Sequence, residues 1–179
     1  MDNFIEKMIN FQEWKLFRIF EKINKTFIIA ASVIVFLLTI VTVVLRYILK
    51  ISIFGLDEII MLVIFYVYMF GASQGSLEDS QIRADMVSTI FHNRKVIEVC
   101  HTFARLVEAC VLAVCFLWSV TYIGNDLRIV PTTTILKIPE IFTHITLLIG
   151  FLFMLIFSTA WFVRQCCVTI QVFKEGSAK

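Results

Sequence analysis

Four stretches of this chain, Thr26–Leu45, Ile59–Leu77, Leu106–Asn125 and Ile141–Val163, are long and apolar enough to cross a bilayer. Among them only Glu108 carries a formal charge. A helix rises about 1.5 Å per residue and a hydrocarbon core is about 30 Å thick, so about 20 such residues span it. Inside lipid every backbone N–H and C=O must find a partner within the chain, which enforces helix even on runs rich in Ile and Val. The expected fold is all-α and integral to a membrane, with four transmembrane helices.

The remainder of the sequence leaves no room for a separate soluble domain. Hydrophobic residues make up 59% of the 179 and the mean hydropathy is +0.88, where a soluble globular domain is about 45–50% apolar. The connections between spans are short, so residues 1–179 read as one membrane domain, with spans at about 26–45, 59–77, 106–125 and 141–163 and a tail at 164–179.

Lys and Arg in the connections set the orientation. Lys7, Lys15, Arg18, Lys22 and Lys25 precede the first span; Arg83, Arg94, Lys95 and Arg105 lie between the second and third; Arg164, Lys174 and Lys179 follow the fourth. Only Arg46 and Lys50, then Arg128 and Lys137, lie on the opposite side. Both termini are therefore expected in the cytoplasm. The formal net charge of +2 is too small to imply nucleic acid.

The cysteines Cys100, Cys110, Cys115, Cys166 and Cys167 are odd in number and none lies in an exported loop. They imply no disulfide framework. No CxxC pair or matching His pair gives a metal set, and the adjacent Cys100 and His101 read as packing residues.

Before the first span, Ile5, Met8, Ile9, Leu16, Ile19, Phe20 and Ile23 fall in one arc of a helix, opposite Lys7, Lys15, Arg18 and Lys22. Residues 1–25 thus read as an amphipathic helix lying along the cytoplasmic interface. A secretory signal is the rival, but the stretch is not continuously apolar and has no small-residue cleavage site. Between the second and third spans, Ile82, Met86, Val87, Ile90 and Phe91 recur at helical spacing, which predicts a second interfacial helix.

Several residues carry sharper alternatives. Arg46 and Tyr47 at the exit of the first span act as headgroup anchors, or Arg46 pairs across the outer corner with Asp57 or Glu58. Gly71, Ala72, Ser73, Gln74, Gly75 and Ser76 let a neighbouring helix approach the second span closely. Glu108 marks an ion path, or pairs with Arg105 one turn away near the inner boundary. Pro139 suits the first turn of the fourth helix, His144 follows near the outer boundary as a hydrogen-bonded packing residue, and Trp161 ends the span as part of an aromatic belt before Arg164.

Reaction chemistry finds no foothold. The chain has no Gly-rich phosphate loop, HExxH or GxSxG, and its adjacent acids at Asp57–Glu58 and Glu78–Asp79 point apart. No enzyme activity and no cofactor are expected. An independent four-helix carrier would show repeated, broken helices with polar residues at mid-depth, and a membrane enzyme would show convergent His, Cys or acids.

The ordered set Arg46–Tyr47, an acidic pair ending in Glu58, Gly71–Ala72, then Ile82 and Asp85 resembles the small membrane subunit of TRAP transporters, the DctQ type. That family shows an RY-like exit, a WxEE-like entry, a small-residue turn in helix two and an HIxVD-like sequence after it. The run Thr133–Gly150 is similar to its exit from helix three and Pro-led start of helix four. Here Gln81 stands where the family has histidine, Gly55 and Leu56 replace the Trp-containing entry, and Glu78 and Asp79 occupy a stretch that is often basic. The resemblance implies a multi-pass protein of the bacterial inner membrane that binds a large M-type subunit, a periplasmic P-type binding protein at its outer corners, and phospholipids. It implies a sodium-coupled importer of an organic acid, such as a sialic acid or C4-dicarboxylate, in which this subunit is stationary scaffold for a large elevator-type subunit. Arg46, Tyr47, Asp57, Glu58, Gly71, Ala72, Gly75, Gln81 and Asp85 are the candidate partner and lipid contacts, with Arg105–Glu108 as an ion pair within one helix.

Overall fold

A computed structural model describes residues 15–51, 54–79 and 94–175. Four helices account for nearly all of them: α1 Lys15–Tyr47, α2 Leu56–Glu78, α3 Arg94–Ile129 and α4 Ile141–Glu175. Each is long and apolar enough to cross a membrane. Residues 1–14, the expected second interfacial helix around 82–91, and the candidate contacts Gln81 and Asp85 lie outside the described residues.

Three helices exceed the expected spans. At about 1.5 Å per residue, the 23 residues of α2 cover about 34 Å, whereas the 33, 36 and 35 residues of α1, α3 and α4 cover about 50 Å or more. The helix runs unbroken through position 26, so residues 15–25 are the first turns of α1 and not a separate element. No Pro or Gly interrupts Lys15–Tyr47, and continuing the helix keeps every backbone hydrogen bond in place. For the same reason α4 continues past Val163 to Glu175, through what the sequence suggests is a tail.

The ends of the helices have local causes. Gly55, at φ 95°, caps the start of α2 and accepts hydrogen bonds from the Glu58 and Ile59 amides. Asp57 and Glu58 in that first turn oppose the helix dipole's positive end. Asp79 closes α2 in a left-handed conformation and donates its N–H to the Gly75 carbonyl. Pro131 disfavours the α region for Val130, and α3 ends at Ile129 with Val130 at φ 48°. Pro139 lies just outside α4 and pairs with Thr132 in a single antiparallel bridge. The first turn of α4 instead hangs from the Pro139 and Glu140 carbonyls.

The starts of α1 and α3 and the ends of α2 and α4 share one end of the bundle, here the terminal end; the end of α1, the start of α2 and residues 130–140 lie at the distal end. Helix α4 is central. It packs against α3 and α2, and α1 packs on α2. Phe20 of α1 also reaches α4, with its ring 4.6 Å from Phe153 and 5.5 Å from Phe157.

The interior is the reverse of a soluble core. Its most completely buried side chains are Thr146, Ser73 and Ser158, while large apolar side chains such as Phe36, Leu37, Phe103 and Leu117 face outward. Lipid is as apolar as leucine, so helices in a bilayer associate through close packing of small residues and through hydrogen bonds. Gly150 shows how close α2 and α4 come: a Cβ there would lie 2.7 Å from Met69 Cε and 3.1 Å from Met69 Cβ.

Candidate functional site: polar clamps at both ends of the bundle

At the terminal end a chain of polar side chains crosses all four helices. Asn24 of α1, buried against α2, donates through Nδ2 to the Phe70 carbonyl at 3.2 Å and to Gln74 Oε1 at 2.9 Å. Gln74 Nε2 passes a hydrogen bond to Glu78 Oε1 at 2.8 Å. Lys25 Nζ closes this part, 2.7 Å from Glu78 Oε1 and 2.6 Å from Glu21 Oε1.

The second part joins α2 to α3 and α4. Arg105 is only 6% exposed. Its Nη2 lies 2.6 Å from both carboxylate oxygens of Asp79, and its Nη1 lies 3.2 Å from Glu108 Oε2. A buried guanidinium is tolerable only when its charge is paired and its donors are used, and two carboxylates meet that need. Trp161 of α4, 7% exposed, donates its indole N–H to the Ser76 carbonyl at 3.1 Å. The guanidiniums of Arg105 and Arg164 lie over its ring at 5.5 and 4.8 Å. Trp161 is therefore an internal strut and not the lipid-facing belt residue its sequence position suggests. Past this level, Gln165 bonds Glu98 at 2.7 Å and Thr169 meets Thr102 at 2.8 Å, tying α3 to α4.

At the distal end, Glu58 accepts the backbone amides of Ile135 and Leu136 at 2.8 and 2.9 Å. It thereby fixes the 130–140 connection onto the start of α2. The alternative outer-corner pair of Arg46 with Asp57 or Glu58 is not formed among the described residues. Arg46 and Tyr47 are exposed, and Asp57 faces a hollow beside the connection. Below it, Asp126 of α3 and His144 Nδ1 of α4 form a direct hydrogen bond, with the Tyr122 ring edge-on to the imidazole at 4.6 Å. The Tyr66 hydroxyl donates to the Phe142 carbonyl at 3.0 Å.

The small residues of α2 divide into two sets. Ser73 and Ser76 are buried inside the bundle, whereas a Cβ on Gly71 would meet nothing within 4 Å. Ala72 and Gly75 are half-buried. Gly71 is thus left open on a surface of the chain.

Sequence reading missed Asn24, Gln74, Asp79, Trp161 and Asp126 as clamp residues. One pair had a signal: Asp126 lies one turn before the end of α3 and His144 one turn after the start of α4, so a hairpin brings them to one depth. Asp79 had none, because a residue at a helix end can point anywhere. Among the described residues no group of three or more His, Cys, Asp or Glu comes together as a metal site, and all five cysteines are free thiols.

These clamps join helices to one another and leave broad apolar flanks on α1 and α3, an arrangement suited to assembly in a membrane. No curated protein matches the chain. A model of the family described as tripartite ATP-independent periplasmic transporters, DctQ component, matches residues 35–168, about three quarters of the sequence and part or all of every helix. The chain belongs to the DctQ component family and is a small membrane component of a tripartite ATP-independent periplasmic transporter.

Proposed function

We propose that this chain is the stationary scaffold of its transporter, residing in the bacterial inner membrane with both termini in the cytoplasm. A large M-type subunit carries out sodium-coupled import of an organic acid, of the sialic acid or C4-dicarboxylate class, by an elevator-type movement. A P-type binding protein meets the distal connections, phospholipids fill the remaining grooves, and the chain acts in transport with no reaction of its own.

The observation that carries this reading is the use to which the interior polar groups are put. Asn24, Gln74, Arg105, Asp79, Trp161, Asp126 and His144 all bond from one helix to another. A group that binds and releases a substrate must be free to exchange partners; a group that holds two helices must not. The basic residues concentrated at the terminal end support the orientation. A moving domain needs a reference body of fixed depth and tilt, and helices cross-linked at both ends supply one. Gly71, Ala72 and Gly75, with Arg46, Tyr47, Asp57 and Glu58, remain the proposed contacts of partner and lipid, together with Gln81 and Asp85.

The test is purification from native membranes in mild detergent through a tag placed after Lys179, with mass spectrometry of what accompanies it. A large polytopic partner in equal amount is the expected result. A monodisperse small protein that transports solute alone in vesicles would overturn the scaffold reading.

A further inference from the structure

Three of the chain's four tyrosines sit where a phenol is at ease. Tyr47 ends α1 and Tyr122 lies two turns from the distal end of α3, at depths where tyrosine is common. Tyr66 of α2 donates its hydroxyl to the Phe142 carbonyl at 3.0 Å. Tyr68 does neither. It is 71% exposed on α2 and has no hydrogen-bond partner among the described residues.

Depth excludes headgroups as its partner. Acids mark both ends of α2, Asp57 and Glu58 in the first turn and Glu78 at the end. Tyr68 lies about 18 Å from the level of Leu56 and about 15 Å from that of Glu78 at 1.5 Å per residue, farther than its side chain extends. Hydrocarbon offers no acceptor, and an unsatisfied polar group there is costly. Other outward hydroxyls of the chain solve this on their own helix: Thr39, Thr121 and Thr159 bond back to the carbonyls of Val35, Leu117 and Ile156. A tyrosine hydroxyl stands beyond its ring, out of reach of its own helix's carbonyls.

We propose that Tyr68 donates a hydrogen bond to a transmembrane helix of the large subunit, one that carries an acceptor at mid-depth, and that this helix lies along the face of α2 made by Met61, Ile64, Tyr68 and Gly71. The proposal deepens the scaffold reading and rests on it. Those four residues recur at spacings of three and four, so they share one face. Met61 and Ile64 are exposed there, and a Cβ on Gly71 would meet nothing within 4 Å. The helix packs its other faces on α1 and α4.

A second copy of the chain fits this face poorly. In a parallel pair of identical α2 helices Tyr68 would meet Tyr68 one turn from where Gly71 meets Gly71. The two rings would hold the backbones apart where the glycines let them close. A helix of different sequence has no such conflict: its backbone approaches at Gly71 while its acceptor meets the single phenol.

The test uses the tagged full chain in native membranes that hold its large subunit. With Tyr68→p-benzoylphenylalanine, illumination should join position 68 to the large subunit, and mass spectrometry should map the attachment to a transmembrane helix. Attachment to a second copy of this chain, or to lipid alone, overturns the proposal. Tyr68→Phe keeps the ring and removes only the hydroxyl. It should leave thermal unfolding of the isolated chain in nanodiscs unchanged. The large subunit retained through detergent washing should fall about three- to tenfold, the size of one hydrogen bond between helices in a membrane. Undiminished retention, or a lowered unfolding midpoint of the isolated chain, overturns the proposal as well. A large subunit that co-purifies but is not joined to position 68 removes this contact and leaves the scaffold reading standing. Absence of any large subunit from purifications of the unaltered chain removes both.

Discussion

Arg105 Nη2 sits 2.6 Å from both carboxylate oxygens of Asp79, so a residue one step past the end of α2 holds a guanidinium buried on the terminal half of α3. Glu108 shares the load at 3.2 Å from Nη1. The contact joins helices on either side of the 80–93 connection, and the Trp161 ring links it to α4.

Asp79→Ala should destabilise the chain by about 3 kcal/mol, because it leaves a buried guanidinium with Glu108 as its one carboxylate. Glu108→Gln should cost about 1 kcal/mol, since the amide oxygen still accepts and Asp79 still balances the charge. Thermal unfolding of both variants in nanodiscs checks the order. Equal losses would show that Asp79 and Glu108 serve Arg105 alike.

Trp161→Phe removes the N–H that satisfies the Ser76 carbonyl and should cost about 1–2 kcal/mol. Trp118→Phe, at a site 71% exposed, should stay within about 0.5 kcal/mol. Comparing the two unfolding midpoints separates the internal strut from a lipid-facing aromatic.

Gly150→Ala forces a methyl against Met69 where α4 packs on α2, and should cost about 1–2 kcal/mol by overpacking. Gly71→Ala adds a methyl into open space, and should be neutral or stabilise the helix by up to about 1 kcal/mol. Gly71→Leu should leave the isolated chain's stability unchanged yet reduce its recovery with the large subunit, read as the partner-to-bait ratio in a pull-down. Undiminished recovery would remove Gly71 from the proposed interface.

Glu58→Gln should loosen the 130–140 connection without unfolding the bundle, since the charged acceptor of two backbone amides is replaced by a weaker one. Hydrogen exchange at Ile135 and Leu136 should accelerate while exchange in the middle of α4 is unchanged. Gly55→Ala should act on the same corner by a different route. It places a side chain at φ 95°, with its Cβ 2.7 Å from Leu136 Cγ, and should cost about 1–2 kcal/mol.

The four spans were legible because length and apolarity are properties of consecutive residues, and lipid leaves the backbone no alternative to helix. Their ends were less so. Nothing local separates Lys15–Lys25 from the first span or stops α4 at Val163, and a helix continues until a Pro, Gly or turn ends it, as at Val130–Pro131 and Gly55. The Arg105–Glu108 pair also needs only helical spacing, and the structure places the two 3.2 Å apart.

What the sequence by itself determined was local: apolar length, the charge asymmetry between connections, the acids at the start of α2, and the ordered residues that resemble the DctQ family. Only the tertiary structure decided which polar groups meet. Asn24 with Gln74, Asp79 with Arg105, Ser76 with Trp161 and Asp126 with His144 each join different helices. Their meeting depends on how far one helix slides and turns against the next. Two residues distant in the chain come to hydrogen-bonding range only when both depth and facing angle are right. Close packing around Ser73, Thr146, Gly150 and Ser158 sets these together, and no single helix carries that information.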